Sequence, residues 1–460
     1  MNALMIVCGL GFVSLVAELV NFRRGLHVLI IAGLVAAIVF AIRSGGGESA
    51  FYFSSMLVFD DYATLFSGLL IAIATCWLAS FTSYFNNAEN QTDRTALILF
   101  CTAGGMMMVS FHNLAVLFLG IEILSIALYV LAGSVRDSFF SNEAAFKYFI
   151  MGSFATGFLL MGIALVYGFT GSFDIAHISR FLEANKSSLP GFLVAGTFLM
   201  FIGLAFKASV VPFHFWAPDV YSGSPTPVTA FMSTVVKVAA LAAFVKIIGY
   251  VFAPMVEIFT PTLIVVIVLT LAVANISAVY QSSVKRMLAY SSIAHVGYIL
   301  IGFLSTSSED FQPTLFYYLS SYAVTSIAAF ACVSIVEKEA GGSNVEAFRG
   351  LFTRNRFLSI CFVITMLSLA GIPPLTGFFA KYLILVSAVD AGLIWVALVA
   401  VVASLIGVYY YFKPVIAIFT RSEIQSDISL STYQTFIIGL LTMLTLLMGI
   451  MPDLVLAIAR

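Results

Sequence analysis

Long apolar runs alternate with short polar stretches along the whole chain. A helix needs about 20 consecutive apolar residues to cross a bilayer. Fourteen segments come up to that requirement: 2–21, 26–43, 61–83, 94–110, 113–133, 143–169, 191–217, 226–251, 256–281, 286–304, 312–336, 356–389, 391–420 and 432–455. Most links between them are short, which predicts an all-α polytopic membrane protein of about 14 transmembrane helices, without soluble domains. Three breaks are longer, at 44–60, 170–190 and 337–355. The last carries Glu337, Lys338, Glu339, Gly341 and Gly342 and is the loop expected to meet a partner.

Two segments interrupt themselves. The seventh reads LAFKASVVPFHFWAPDV, with Pro212 and Pro218; the twelfth reads LSLAGIPPLTGFFAKYLIL, with Gly371, Pro373, Pro374 and Gly377. Proline removes a helix donor and clashes with the preceding turn. Broken helices at membrane depth are tolerated where the backbone lines a cavity or is buried in protein. These breaks lie five segments apart, each beside a lysine, the pattern of an internally repeated transporter. Segments four to eight would pair with nine to thirteen. Because five is odd, the second copy must be inverted. The expected organisation is a three-helix N-terminal part at 1–93, a first repeat at 94–251, an inverted second repeat at 252–420, and a C-terminal helix at 421–460.

Composition agrees with a membrane solvent. The chain is 61% hydrophobic and 9% charged, with a mean hydropathy of +1.08. So few charges would not cover the surface of a soluble protein this long. The net charge of −1 argues against a nucleic-acid partner. Cys8, Cys76, Cys101, Cys332 and Cys361 stand singly in apolar runs, without the paired spacing of a zinc or iron–sulfur site, and read as small core residues. No basic residue precedes the first apolar run, so no cleaved signal peptide is expected. The odd-numbered loops hold Arg23, Arg24, Arg94, Arg136, Lys285, Arg286, Lys338, Arg349, Arg354, Arg356 and Arg421, against Arg43, Arg180 and Lys186 in the even-numbered ones. The positive-inside rule then puts the odd loops in the cytoplasm and both termini in the periplasm.

The two basic residue types are distributed differently. All twelve arginines lie in polar stretches, at segment edges or at the C-terminus, whereas Lys147, Lys207, Lys237, Lys246, Lys381 and Lys413 fall within or at the ends of apolar runs. Arginine stays charged in any protein setting, while a desolvated lysine can release its proton near neutral pH. A charge at the bilayer centre costs about 2.5–3.5 kcal/mol on insertion scales. A chain that bears this cost with the titratable cation looks built to move protons. Lys207, Lys237 and Lys381 are the strongest candidates. Lys147 is placed either to act with them or to reach the interface, while Lys246 and Lys413, nearer span ends, are expected to snorkel, and Glu18 to reach a headgroup or a partner. Glu122 is a carboxylate near the middle of a span, either a neutral hydrogen-bonding group or the anionic partner of Lys147. His214 follows Lys207 by seven residues, two turns if the helix were continuous. His214 and His295 each read as either a satisfied core histidine or a neutral shuttle. The resulting series, Glu122, Lys147, Lys207, His214, Lys237, His295 and Lys381, is what a lateral proton relay needs. A neutral lysine beside a cationic one is held neutral by repulsion, so each transfer drives the next.

These stretches resemble one family, the antiporter-like membrane subunits of proton-pumping NADH:quinone oxidoreductase (respiratory complex I), related to subunits of multisubunit sodium/proton antiporters. LFLGIEILSIALYVLAG resembles its fifth helix, with the glutamate at Glu122, and NEAAFKYFIMGSFATG its sixth, with the lysine at Lys147. GLAFKASVVPFHFWAPDVY and GSPTPVTAFMSTVVKVAAL place two central lysines at Lys207 and Lys237 and a histidine at His214. YSSIAHVGY matches the tenth helix and LAGIPPLTGFFAKYLIL the twelfth. A lysine at 381, with the sequence stopping after segment fourteen, resembles the smallest of the three paralogues in its bacterial form. The resemblance implies a bacterial inner-membrane translocase subunit. Glu122, Lys147 and Lys207 would receive a signal from a neighbouring antiporter-like subunit, Lys237 and His295 would carry the proton, and Lys381 would release it. It also implies no cofactor on this chain, with FMN, iron–sulfur clusters and quinone on partner subunits. The residues agree that no glycine-rich nucleotide fingerprint for NADH is visible.

Two alternatives compete. One is a sodium/proton antiporter subunit of the same superfamily. The other is a haem or quinol protein using His214 and His295 as axial ligands, disfavoured because the two histidines fall in segments that need not face each other.

Overall fold

The computed structural model describes residues 1–20, 22, 25–44, 49–82, 84, 91–305, 310–421 and 427–460. Arg23 and Arg24, used above for orientation, lie outside these residues. Each of the fourteen apolar segments is helical. Among the described residues, twelve helices are long and apolar enough to cross a membrane. The other two segments are Gln91–Ser110, whose first turns hold Asp93 and Arg94, and the twelfth, which divides into Arg356–Ala370 and Thr376–Asp390. The physical reason for so much helix is that no water in the bilayer core can satisfy a free backbone group.

The chain forms two compact units. The first comprises Met1–Ser209 and Val235–Pro261, the second Val210–Thr234 and Thr262–Arg460. Each passage of the chain from one unit to the other falls on irregular backbone. These are Ser209 in the left-handed region (φ 63°), the π-helical turn Met232–Val236, and Pro261 inside a helix.

In the first unit the helices are α1 (Asn2–Leu19), α2 (Leu26–Ser44), α3 (Asp61–Ser80), α4 (Gln91–Ser110), α5 (Leu114–Ala132), α6 (Phe139–Thr170), α7 (Ile175–Ala184) and α8 (Gly191–Ala208). The chief pairings are α6 on α8, α4 on α5, and α1 on α4. On α6 the buried face is mostly small, with Ala144, Gly152, Ala155 and Gly162, while Phe146, Phe154 and Met161 point outward. Close packing of small faces is the usual way helices associate where lipid offers no hydrophobic drive. One end of this unit is closed by a short antiparallel hairpin, β1 (Ala50–Tyr52) and β2 (Leu57–Phe59). Leu57 bridges to Phe111, and Asn113 to Asp174. Asp60, Asn113 and Asp174 cap α3, α5 and α7 by accepting from backbone N–H groups at 2.7, 2.9 and 2.8 Å.

The helix α9 (Trp216–Gly223) lies in the second unit. The next span, α10 (Thr226–Val251), begins in the second unit and ends in the first, with π-helical turns at Met232–Val236 and Lys246–Val251. Then come α11 (Val256–Val279), α12 (Val284–Gly302), α13 (Phe311–Ala340), α14 (Arg356–Ala370), α15 (Thr376–Asp390), α16 (Ile394–Phe419), α17 (Thr432–Ile450) and α18 (Pro452–Ala459). In the second unit α13 packs on α14, α15 and α17, and α12 on α15.

Candidate functional site

Both interrupted helices exist, and each break is set by its residues. The seventh segment ends as a helix at Ala208. Ser209 then turns into the left-handed region, the Val211–Pro212 bond is cis, and helix resumes only at Trp216. The expected two-turn alignment of Lys207 with His214 therefore fails, because no helix continues between them. In the twelfth segment Gly371 (φ 87°) ends α14, a cis Pro373–Pro374 bond follows, and α15 starts at Thr376.

Lys207, Lys237, His295 and Lys381 are buried, at 1–6% exposure. In the first unit, Lys207 Nζ donates to Ser125 Oγ at 2.7 Å and to the Tyr148 hydroxyl at 3.3 Å, and lies 5.3 Å from the Tyr148 ring centre. Ser125 in turn donates to the Ile121 carbonyl, which orients its oxygen toward the lysine. Glu122, half-buried on the same helix as Ser125, accepts from Thr156 at 2.9 Å and acts electrostatically on Lys207. Lys147, for which Glu122 was the expected partner, makes an ion pair with Glu143, at 2.8 Å one turn away on α6. Lys237 lies immediately after the π-helical turn Met232–Val236. Such turns frequently occur at functional positions.

The second unit holds a denser polar network. His295 Nδ1 is 2.8 Å from the Tyr318 hydroxyl, and its Nε2 is 3.4 Å from that of Tyr411. Tyr411 also hydrogen-bonds Ser291, one turn before His295 on α12. A small cavity of about 10 Å³, room for roughly one water, is lined by His295, Tyr318, Tyr322, Ser368, Gly377 and Ala380 among others. Beyond it, Lys381 Nζ donates to the Ala370 carbonyl at 2.9 Å and to Ser404 Oγ at 3.1 Å. Its ammonium lies 4.9 Å from the Tyr298 ring centre. Ala370 is the last residue of α14, so the cation sits at the negative end of a half-helix. The break supplies that carbonyl, and Gly371 leaves room for the lysine stem, which passes 3.0 Å from where a Cβ would stand. His214 is buried beside the first break, in the second unit.

The arrangement can hold several cations in apolar surroundings while giving Lys207 and Lys381 hydroxyl or carbonyl neighbours. It can also pass a proton along hydroxyl and imidazole groups, which both donate and accept. We expect Tyr411→Phe to lower proton translocation several-fold without loss of assembly, since it removes one hydroxyl between Ser291 and His295. Proton uptake by reconstituted vesicles measures this.

Three features of the site were not expected. The tyrosines around His295 were hidden because a tyrosine in an apolar run reads as packing. Their i, i+4 spacing at Tyr318 and Tyr322 was the available signal. Lys246, expected to snorkel, is instead buried, its Nζ donating to the Val109 carbonyl at 3.2 Å. Lys285, counted as a loop charge, is buried in the first turn of α12, where it donates to the Ser224 carbonyl at 2.5 Å and lies 3.8 Å from Glu337. Of the other discounted groups, Glu18 finds a partner as expected, accepting from Thr92 at 2.6 Å, whereas half-buried Lys413, expected to snorkel, bonds the Val279 backbone carbonyl. Among the described residues no cluster of His, Cys, Asp and Glu has the geometry of a metal site.

A multi-pass helical bundle with broken helices and buried lysines defines a class of ion-translocating membrane subunit. Residues 111–407 match the family described as NADH:quinone oxidoreductase/Mrp antiporter, TM. The chain belongs to that family. It is 43% identical to the NADH-quinone oxidoreductase subunit N of Cytophaga hutchinsonii, over 100% of this chain and 99% of that one. It superposes with a TM-score of 0.84 on a chain of respiratory complex I from Thermus thermophilus, at 30% identity, covering 99% of this chain and 98% of that one. A chain of an archaeal membrane-bound sulfane sulfur reductase gives a TM-score of 0.89 at 25% identity, covering 100% and 96%.

Proposed function

We propose that this chain works as the N-type antiporter-like subunit of a proton-pumping NADH:quinone oxidoreductase. It would have no redox centre of its own and be driven by quinone reduction elsewhere in the complex. The observation that carries this reading is the set of buried lysines, each held by hydroxyls or carbonyls or set at a π-helical turn, in a chain alike in full length to subunits of that name. The proton route runs from Glu122, Lys147 and Lys207 to Lys237, then His295, and out at Lys381, with His214 beside the first break. Glu122 biases the charge of Lys207, and a lysine that loses its proton lowers the repulsion on its neighbour. Lys381 waits at the carbonyl end of α14, which favours its cation until a like charge arrives.

Further parts of the reading follow from the same resemblance. Its neighbours are other complex I membrane subunits, one of them antiporter-like, with FMN, iron–sulfur clusters and quinone on partner chains. Its home is the bacterial inner membrane with both termini periplasmic. The two five-helix repeats at 94–251 and 252–420 are inverted copies.

The test is reconstitution. The assembled complex in sodium-free liposomes should translocate protons when NADH is added, and this chain alone should exchange neither sodium nor protons. Sodium/proton exchange by the chain without an NADH-oxidising partner would favour the antiporter alternative.

A further inference from the structure

The relay leaves two buried lysines unused: Lys285, which donates to the Ser224 carbonyl and lies 3.8 Å from Glu337, and Lys246. Lys246 is the first residue of the second π-helical turn in α10, as Lys237 directly follows the first. Each of these two α10 lysines adjoins or opens a π-helical turn of its own, and both belong to the first unit. Nine residues at ~1.5 Å each carry Lys246 about 13 Å from Lys237, close to half of a ~30 Å hydrocarbon core. Between them, the Tyr62 hydroxyl donates to the Ala242 carbonyl at 2.7 Å.

A span-end lysine ordinarily extends its stem to water. Lys246 does not. Its ammonium turns inward to the Val109 carbonyl at 3.2 Å and lies 5.0 Å from the Phe111 ring centre. Phe111 in turn bridges to Leu57 of the hairpin, at one end of the unit. His112 N–H donates to the Met56 carbonyl at 3.0 Å, and Ile175 N–H to the His112 carbonyl at 3.1 Å. The same end gathers titratable side chains. His112 Nε2 is 3.4 Å from Asp174 Oδ2, both partly exposed to solvent. Asp60 acts electrostatically on Lys246, Tyr62, Tyr250 and His112, and His112 also feels Lys246. Burial is the main influence on His112 and lowers its pKa; Asp174 raises it, Lys246 lowers it and Asp60 raises it. A neutral imidazole beside a carboxylate can take up a proton and hand it to water.

We propose that Lys246, with Asp60 and the His112–Asp174 pair, forms a terminal where the buried lysines of the first unit exchange protons with the aqueous face that carries the Ala50–Phe59 hairpin. The inference rests on the relay reading above. The ammonium of Lys246 gives up one proton to the rim groups and becomes a neutral amine. A proton arriving from the Lys237 side restores it. Asp60 holds the charged state of Lys246, and His112 with Asp174 joins it to water. A first unit with its own terminal need not route every proton through Lys381.

The experiment uses the assembled complex in proteoliposomes and reads protons translocated per NADH oxidised. Four variants are compared: Lys246→Arg, Lys246→His, Asp60→Asn and, as a control on the relay, Lys237→Ala. Arginine keeps the charge and a donor for the Val109 carbonyl but does not release a proton. Histidine is smaller and titratable. Asparagine keeps the cap on α3 and removes only the charge. Lys246→Arg and Asp60→Asn should each lower the proton yield by about a third or more, with Lys246→His recovering part of the loss. A wild-type yield from both Lys246→Arg and Asp60→Asn, while Lys237→Ala loses pumping, overturns the terminal and leaves the relay standing. Full pumping by Lys237→Ala overturns the relay itself. If Lys246→Arg fails to assemble, Asp60→Asn decides alone.

Discussion

Replacing Lys207 with alanine should lower NADH-driven proton translocation about 100-fold, the low side of what a positioned proton-transfer group contributes. The local structure should survive. Ser125 keeps the Ile121 carbonyl as its partner, and half-buried Glu122 keeps its hydrogen bond from Thr156. The loss would therefore be functional. Lys207→Arg separates two roles for this side chain. If the site needs only a cation beside Glu122, arginine should support pumping. If the cation must become neutral in each cycle, arginine should fail as completely as alanine, because a guanidinium keeps its proton. We expect the second outcome. Glu122→Gln should cost less, since its influence on Lys207 is electrostatic and at a distance. Proton uptake per NADH, normalised to the amount of assembled complex, measures all three variants. Wild-type yield from Lys207→Arg would remove this lysine from the relay.

The parts of this site that were legible in the sequence are those fixed by local chemistry. A lysine in an apolar run is conspicuous because its cost does not depend on the fold, which is why Lys207, Lys237 and Lys381 were found. The breaks were legible for the same reason: Pro212, Pro373 and Gly371 act on their own backbone. What was missed depends on groups distant in the chain. Lys246 was assigned to the interface from its place in the span. Val109 and Phe111, more than 130 residues earlier in the chain, hold its ammonium inside the first unit. Lys285 was counted among loop charges, but α9 and α13 bring Ser224 and Glu337 around it. His295 could not be given its neighbours, because Tyr318 and Tyr411 come from separate helices. The pairing of Lys207 with His214 failed at an intermediate scale. It was conditional on a continuous helix, and the helix ends at Ala208.

The second break should be as sensitive to added volume as the relay is to lost charge. Gly377 opens α15 against the end of α14, and a Cβ there would stand 2.8 Å from the Ser368 carbonyl carbon. Gly449, on α17, faces the same loop: its Cβ would meet Thr376 N at 2.5 Å and the Leu375 carbonyl carbon at 2.6 Å. These neighbours are backbone, so no rotamer change relieves the overlap. Forcing a methyl group into a filled site costs about 1–3 kcal/mol and at times more, and here the strain falls on the loop leading to α15. That loop sets Lys381 against the Ala370 carbonyl, so a small shift acts on the proposed exit. Gly449→Ala and Gly377→Ala should each reduce assembled complex about tenfold, and complexes that do assemble should pump poorly. Gly168→Ala is the control: it lies in α6 with nothing within 4 Å of the added carbon, and alanine should stabilise that helix by about 0.5–1 kcal/mol. Native-gel yield and proton uptake per complex distinguish the two parts of the prediction. Normal assembly with weak pumping in Gly449→Ala would locate the damage at Lys381. Normal behaviour in both measurements would mean that the loop yields freely, and that the Ala370 carbonyl is not what holds the exit lysine.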